Sequence, residues 1–240
     1  MARRGFGRAL LSTGLLGATL LGGAGGYGLG LLTGPAVAAS KGIAAPLEVA
    51  KSASTPTPPP PVQVKTPKPD NTPPLVESNL TYRTREFVAV AAVTSKISVR
   101  VPKNWQMTQP YPKIEARFTD STTKRWIRLE AGFTVRRPPA ESMAARVAEL
   151  KQGDPAVALK IISQQSGTAI HDAGTPLSYS TLIYSYIPGD STRYVIVRWV
   201  ALDKSGLAAV EMASTGLPQD RSALLAVLQH ATESVVRTDS

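Results

Sequence analysis

The chain has 240 residues, of which 27 are Lys or Arg and 17 are Asp or Glu, so its formal net charge is +10. It has no cysteine, which excludes disulfide bonds, a lipid-anchored cysteine, a thiolate nucleophile and cysteine metal ligands. A strongly basic chain favours anionic partners, and where the chain is located decides which anions it can meet.

Residues 1–40 have the pattern of a segment addressed to a membrane. Arg3, Arg4 and Arg8 precede an uncharged stretch from Ala9 to Ser40, and the paired arginines resemble the twin-arginine export signal. Small residues near Ala38 suit a cleaved signal peptide, whereas the length of residues 9–33 favours an uncleaved transmembrane anchor. Either reading places the rest of the chain outside the cytoplasm. The two localisations that follow are a single-pass membrane protein and a secreted protein.

Small residues recur every four positions within this segment. Such spacing lines one face of a helix and lets a second helix approach closely, so it predicts a helix-packing stripe and an oligomer formed through it. The residues of the stripe are Gly14, Ala18, Gly22, Gly26 and Gly30.

Residues 41–78 are predicted to be a Pro-rich, disordered linker. Ten prolines lie between Pro46 and Pro74, among Ser, Thr and Lys and with few large apolar residues. Proline fixes φ and removes a hydrogen-bond donor, so we expect an extended polyproline II spacer that holds the next domain away from the membrane. Docking of a PxxP motif to a partner is the alternative role.

Residues 79–240 are long enough for one domain with a sizeable core, and their hydrophobic pattern changes between period 2 and period 3.6. Alternation predicts half-buried antiparallel strands at 97–101, 114–118, 127–135, 177–187, 193–202 and 207–214. Helices are predicted after Pro138, with Met143, Val147 and Leu150 on one face, and after Asp220, which would be the N-cap. Asp154 and Pro155 predict a further helix that includes Val157 and Ile161. The order predicts an α+β domain, with helices covering a largely antiparallel sheet.

Three segments of this domain resemble the Mog1/PsbP-like fold of actinobacterial envelope proteins. They are the strand end Val101-Pro102-Lys103-Asn104-Trp105, the strand 194–199 and the final helix ending in Glu233-Ser234-Val235-Val236-Arg237. The layout is similar to that of alanine- and proline-rich secreted proteins and of type VII secretion-associated proteins. The resemblance covers the last two-thirds of the chain and implies a fold and a binding or scaffold role. It implies no catalytic residue.

The charge is concentrated in the first part of the domain. Residues 79–137 contain 12 Lys and Arg against 4 acids, whereas residues 138–240 contain 8 against 10. Lys124, Trp126 and Arg128 alternate and would share the outward side of one strand, so we predict a binding face there. Outside the cytoplasm its partner would be anionic wall polymer, anionic lipid or an envelope protein, and nucleic acid is disfavoured. A solvated strand face, with Trp126 against a helix, is the alternative.

Enzyme motifs are weak. Ser121-Thr122-Thr123-Lys124 and Lys204-Ser205-Gly206 match signatures of penicillin-binding proteins, but the first lies in a polar turn rather than at the start of a buried helix. His171 and His230 are the only histidines and belong to no metal-binding motif, so no cofactor or metal is predicted.

We therefore predict a non-enzymatic, membrane-tethered or exported envelope protein. Its domain would bind envelope or secretion-machinery proteins as an accessory or assembly factor. A secreted adhesin or wall-binding module is the alternative, and a cell-wall enzyme is a third, weaker one.

Overall fold

A computed structural model describes residues 62–133 and 135–239 of the chain. The predicted membrane segment at residues 1–40, its small-residue stripe and the linker up to residue 61 lie outside the described residues. Within the described ranges, neither α-helix has the length and hydrophobicity needed to cross a bilayer.

The described part is an α+β domain with a largely antiparallel arrangement of strands, which confirms the predicted fold class at this level. Two α-helices occur, α1 at Pro139–Lys151 and α2 at Arg221–Ser234. The strands are β1 (Tyr82–Val90), β2 (Thr94–Pro102), β3 (Gln106–Thr108), β4 (Glu115–Thr119), β5 (Trp126–Ala131), β6 (Lys160–Ile170), β7 (Pro176–Tyr186), β8 (Arg193–Ala201), β9 (Ala208–Gly216) and β10 (Val236–Asp239).

These strands form two sheets. The large sheet has seven strands in the order β3-β4-β5-β9-β8-β7-β6, and the small sheet has three in the order β1-β2-β10. Every pair of neighbouring strands is antiparallel. The pairing of β5 with β9 joins the two halves of the large sheet, and it brings together residues that are far apart in sequence, such as Leu129 and Met212.

Strand β5 shows why the large sheet has two different faces. Ile127, Leu129 and Ala131 are almost completely buried, whereas Trp126, Arg128 and Glu130 alternate with them and are partly exposed. The buried side chains belong to the main apolar core, which also includes residues of α2 and of the small sheet. We call this side the closed face.

The opposite side of the large sheet is only partly covered. Helix α1 contacts β6, β7 and β8, where Val147 packs against Leu182 and Val197 in a second apolar cluster. It does not cover the same side of β4 and β5, so this part of the sheet has no described helix packed on it. We call it the open face and define it by seven residues: Glu115, Arg117, Trp126, Arg128, Glu130, Arg193 and Glu211.

The predicted helix after Asp154 is wrong. Asp154 does cap a helical turn, since its Oδ1 accepts a hydrogen bond of 2.8 Å from the Ala156 amide, but that turn is a single 3₁₀ turn at Pro155–Val157. Ala158 then adopts a left-handed conformation with φ of 50°, which ends the helix, and β6 begins at Lys160. Ile161 therefore belongs to a strand.

The strand predicted at residues 127–135 is shorter than expected. It ends at Ala131 because Gly132 has a φ of +79°, a conformation that glycine adopts without strain. A Cβ atom at this position would also lie 2.7 Å from the carbonyl oxygen of Val93, so the close approach of the β1–β2 turn requires glycine. Val135, beyond the strand, is 67% exposed.

The end of the predicted linker belongs to the domain surface. Leu75 and Leu80 pack on the main apolar core, and residues 65–73 make hydrogen bonds with loops of the domain. The structured domain therefore begins before residue 79. Strand β1, which the sequence reading did not include, follows directly and pairs with β2 along its whole length.

Candidate functional site

Three glutamates form a row across the open face. In the strand register Glu115 of β4 lies beside Glu130 of β5, and Glu130 lies beside Glu211 of β9. Carboxylates that face each other directly across neighbouring strands repel and destabilise the sheet. A row of this kind therefore needs nearby positive charge.

Arg128 is the cation at the centre of this row. Its Nη1 donates to Glu115 Oε2 at 3.1 Å and to Glu130 Oε2 at 3.3 Å, and its Nη2 donates to Glu211 Oε1. One guanidinium thus serves three carboxylates. Burial, and secondly the Glu211 carboxylate, raise the pKa of Glu130 above its usual range. Arg117, at 3.6 Å from Glu115, and Arg146, which acts to lower the pKa of Glu130, are the other cations near the row.

A cavity of about 480 Å³ lies between the glutamate row and α1. Glu130 and Glu211 line it from the sheet, and Arg146 and Glu149 line it from the helix, where their side chains form an ion pair of 3.0 Å. Trp199 Nε1 donates to Glu211 Oε2 at 2.9 Å and fixes that carboxylate at the cavity wall. The cavity is large enough for one side chain of a partner, with carboxylates to receive a basic group.

The other end of the open face is basic and aromatic. The guanidinium groups of Arg117 and Arg193 lie 5.6 and 5.8 Å from the ring centroid of Trp126. Arg117 has Glu115 at 3.6 Å, and Arg193 donates to the backbone carbonyl of Lys124 at 3.1 Å. Two guanidinium groups at one indole ring form a surface that suits an anionic or polar group of a ligand.

The three side chains of the predicted binding face, Lys124, Trp126 and Arg128, have different partners in the structure. Trp126 and Arg128 lie on the open face as successive outward residues of β5, and Arg128 is surrounded by carboxylates. Lys124 lies in the turn before β5, and its Nζ donates to Asp70 Oδ1 at 2.9 Å and to Thr72 Oγ1 at 2.6 Å. The predicted face is therefore not a uniform row of free cations.

Several residues of the open face were not singled out from the sequence. Glu115 and Arg117 belong to the alternating pattern of β4 and could have been placed on the outward side of that strand. Glu211 and Arg193 could not, because the pairing of β9 with β5 and the position of β8 are set by tertiary structure. Local periodicity carries no signal for them.

The structure shows the contacts of the residues considered for enzymatic or metal chemistry. Lys124, the lysine of the Ser121 motif, binds Asp70, and the Lys204-Ser205-Gly206 motif lies in the turn between β8 and β9. His230 of α2 packs on Tyr82 with ring centroids 4.0 Å apart, and His171 Nδ1 accepts from the Ala173 amide. Within residues 62–133 and 135–239, no three histidine, aspartate or glutamate side chains are grouped as metal ligands.

Comparisons with known proteins find similarity among solved structures. No family model matches the sequence, and no curated protein matches it. Among solved structures, the Ran-binding protein Mog1p of Saccharomyces cerevisiae is similar over 65% of this chain and 96% of its own length, with 12% identity and a TM-score of 0.44. A point mutant of Mog1 is similar over 64% of this chain and 95% of its own, with 13% identity and a TM-score of 0.39.

Both TM-scores are below 0.5, so these similarities carry no argument about this chain, and Ran binding is stated only of the yeast protein.

Proposed function

We propose that this chain is a non-enzymatic binding protein of the actinobacterial cell envelope, which docks a protein partner on its open face. Residues 1–40 would carry the domain out of the cytoplasm, and the Pro-rich segment would hold it away from the membrane. In this role the protein acts as an accessory or assembly factor for other envelope proteins, among them secretion machinery.

The support for a protein partner is the composition of the open face. Trp and Arg are among the residues most enriched in the energetic centres of protein interfaces, and Trp126 lies between Arg117 and Arg193. On the same side of the sheet, Glu130 and Glu211 of the glutamate row line a cavity with room for a single side chain. A partner with a lysine or arginine beside an acidic or polar group would match both ends.

The alternative is binding of an anionic wall polymer, and it is supported by the basic end alone. A polymer of repeated negative charge would bind at Trp126 and its two guanidinium groups, but it would be repelled by Glu130 and Glu211. We favour the protein partner because its surface can present both signs of charge.

The test is site-specific photo-crosslinking of the full-length protein in its own host. A photoreactive residue replaces Thr119, which pairs with Trp126 across β4 and β5. A second chain carries the same residue at Tyr111, which is 94% exposed and lies outside the open face. We expect a defined protein adduct from position 119 and none from position 111. Trp126→Ala in the position-119 chain should abolish that adduct.

Mass spectrometry of the recovered protein then separates the two localisations. An intact N-terminus with a membrane-protein adduct supports the tethered accessory factor. A mature chain that begins near Ser40 and is recovered with wall material supports the wall-binding alternative. Adducts that persist unchanged after Trp126→Ala would contradict a docking role for the open face.

A further inference from the structure

The seven-stranded sheet ends in two edge strands of very different length. Strand β3 has three residues, whereas β6, at the other end of the strand order, has eleven and runs from Lys160 to Ile170. β6 pairs with β7 along one side. Along its other side, no hydrogen bond joins its backbone to another backbone group within residues 62–133 and 135–239. A row of unpaired N–H and C=O groups of this length is a template for a further strand.

The edges of the small sheet are shorter or blocked. Strand β10 has four residues. The outer side of β1 is contacted by the loop that follows β3: Gln109 Nε2 donates to the Val88 carbonyl at 3.0 Å, and the Val90 amide donates to the Lys113 carbonyl at 2.7 Å. Among the described residues, β6 is therefore the one long edge that remains available for pairing.

β6 also lacks the features by which proteins protect such an edge. Prolines, charged side chains, β-bulges and short length are the usual means. β6 contains no proline, and Lys160 at its start is its only charged residue. Its bulge lies near the same end, between Ile161 and Ser163. The stretch from Ser163 to Ile170 is therefore uncharged and regular.

Two identical antiparallel strands related by a two-fold axis can pair in only certain registers. Directly opposite residues alternate between hydrogen-bonded and non-hydrogen-bonded pairs, so the axis must pass through a pair that one residue forms with its own copy. Near the middle of β6 this residue is Gln165, Ser166 or Gly167. Each choice places different side chains opposite one another.

Ser166 as the centre gives the best match of side chains. The two large apolar residues of β6 that are exposed, Ile162 at 39% and Ile170 at 60%, then lie opposite each other, since each is four residues from Ser166. Gln164 lies opposite Thr168, so polar side chains also meet polar side chains. A shift of the centre by one residue in either direction would place both isoleucines opposite polar or charged residues.

The charges at the ends of β6 fit the same centre. Lys160 lies six positions before Ser166, and Asp172 lies six positions after it. Lys160 of each copy therefore comes level with Asp172 of the other copy. Asp172 accepts from Arg100 at 2.9 Å, and its side chain is 49% exposed and accessible to a second cation. Opposite charges across neighbouring chains favour the pairing, and no like charges oppose each other along the strands.

We propose that β6 pairs with β6 of a second copy of this chain, antiparallel and centred on Ser166, so that the two seven-stranded sheets become one continuous sheet. The backbone groups alone would accept any extended segment, whereas the matched isoleucines and end charges favour a second copy. The open face lies on the other half of the sheet and stays accessible, so this proposal is independent of the partner that binds there. One strand from each copy forms a small interface, so the dimer should be weak.

The chain has no cysteine, so a single introduced cysteine reports self-pairing. In this register Ser166 is the one residue of β6 that faces its own copy, at a Cα separation of about 4.5–5.5 Å, which suits a disulfide. Full-length chains carrying Ser166→Cys are oxidised at several concentrations, and the disulfide dimer is quantified. The matched control is Gln164→Cys, at a position that is exposed in the same way. Its two copies would lie four residues, or about 13 Å, apart along the strands.

We expect Ser166→Cys to give several times the disulfide dimer that Gln164→Cys gives. A mixture of Gln164→Cys chains and Thr168→Cys chains should form the mixed disulfide in similar excess over the disulfide of either chain with itself. Association through another part of the chain, including residues 1–40, would raise all positions alike, so the comparison isolates β6. Equal yields from Ser166→Cys and Gln164→Cys, or a maximum at another position of β6, would overturn the pairing.

A second measurement needs no cysteine. Ser166→Lys would place two ammonium groups directly opposite each other, which destabilises paired strands. Ser121→Lys is the matched control, because Ser121 is exposed in the turn between β4 and β5, on the other half of the sheet. Sedimentation equilibrium of the full-length protein in detergent should show a lower dimer fraction for Ser166→Lys and the original fraction for Ser121→Lys. A dimer fraction that Ser166→Lys leaves unchanged would overturn the proposal.

Discussion

The two faces of the seven-stranded sheet differ in how their side chains are packed: one is buried and apolar, and the other is partly exposed and charged. On the closed face, Ile127, Leu129 and Met212 are completely buried in the core that α2 and the small sheet share. On the open face, the alternate residues of β5 are charged or aromatic, and helix α1 covers only β6 to β8. The closed face supplies the apolar burial that stabilises the domain, and the open face retains charge at a cost in stability.

The buried ion pairs near the start of α2 also differ from the ion pairs of the open face. Arg125, close to the start of α2, has two buried carboxylates, Asp120 at 3.3 Å and Asp220 at 2.8 Å, and also donates to the backbone. Arg128 on the open face serves three carboxylates that are partly solvated. The first group is a closed structural network, whereas the second still has capacity for a partner's charge.

The largest expected effect is on the buried network. Arg125→Met leaves Asp120 and Asp220 without a cation, and removal of one partner of a buried ion pair costs about 3–5 kcal/mol. We expect the free energy of unfolding, measured by denaturant titration, to fall by about that amount. Arg128→Met is the matched control on the open face and should cost less, since water can solvate the glutamates. Equal losses from the two variants would contradict the distinction between the faces.

The next effect concerns apolar packing on the closed face. Leu129 has no exposed surface, so Leu129→Ala should lower the free energy of unfolding by about 2–5 kcal/mol through lost burial and a residual cavity. Leu225 on α2 is 43% exposed and provides the control. Leu225→Ala should change stability by no more than about 0.5 kcal/mol. Thermal and denaturant unfolding of both variants would measure this difference, and a small loss at Leu129 would mean that the closed face is not the core.

The smallest expected effect is a pH-dependent change in the free energy of unfolding at Glu130 on the open face. Because the folded-state pKa of Glu130 is raised above the ordinary value of 4.5, the folded protein keeps a proton that the unfolded chain has lost. Stability contributed by this group is therefore lost as the pH rises from 4.5 through the folded-state pKa. We expect Glu130→Gln to raise the free energy of unfolding near neutral pH and to leave it unchanged below the ordinary pKa of a glutamate.

The control for this measurement is Glu86→Gln, a change at a glutamate with 57% side-chain exposure on the small sheet. Its effect at each pH gives the background change from replacing a largely exposed glutamate, here one paired with Lys96 at 2.9 Å, against which the effect of Glu130→Gln is compared. If Glu130→Gln changes the free energy of unfolding by the same amount near neutral pH and below pH 4.5, ionised Glu130 does not destabilise the fold.

Much of the fold follows from alternation along the sequence. The strands β2, β4, β5, β7, β8 and β9 and both helices were predicted because their apolar residues keep one period over most of the element. Strand β6 was missed because polar residues from Gln164 to Ser166 interrupt its alternation. Asp154 and Pro155 are a normal start for an α-helix, but here they begin a single 3₁₀ turn that ends at Ala158.

The candidate site was predicted less completely than the fold. Trp126 and Arg128 were placed together because they are two residues apart on one strand, which is a local property. The contacts of Arg128 with Glu211 and of Lys124 with Asp70 join residues 83 and 54 positions apart, so they depend on the register of the whole sheet and on the path of residues 62–72. No short pattern in the sequence encodes such pairs.

The alternation along β5 has a consequence for how such a protein can change over time. The inward positions of this strand are constrained by packing in the core, while the outward positions Trp126, Arg128 and Glu130 are partly exposed. Substitutions at the outward positions can therefore accumulate without loss of the native state. A new ligand preference is thus accessible through a few point mutations, with the scaffold inherited intact.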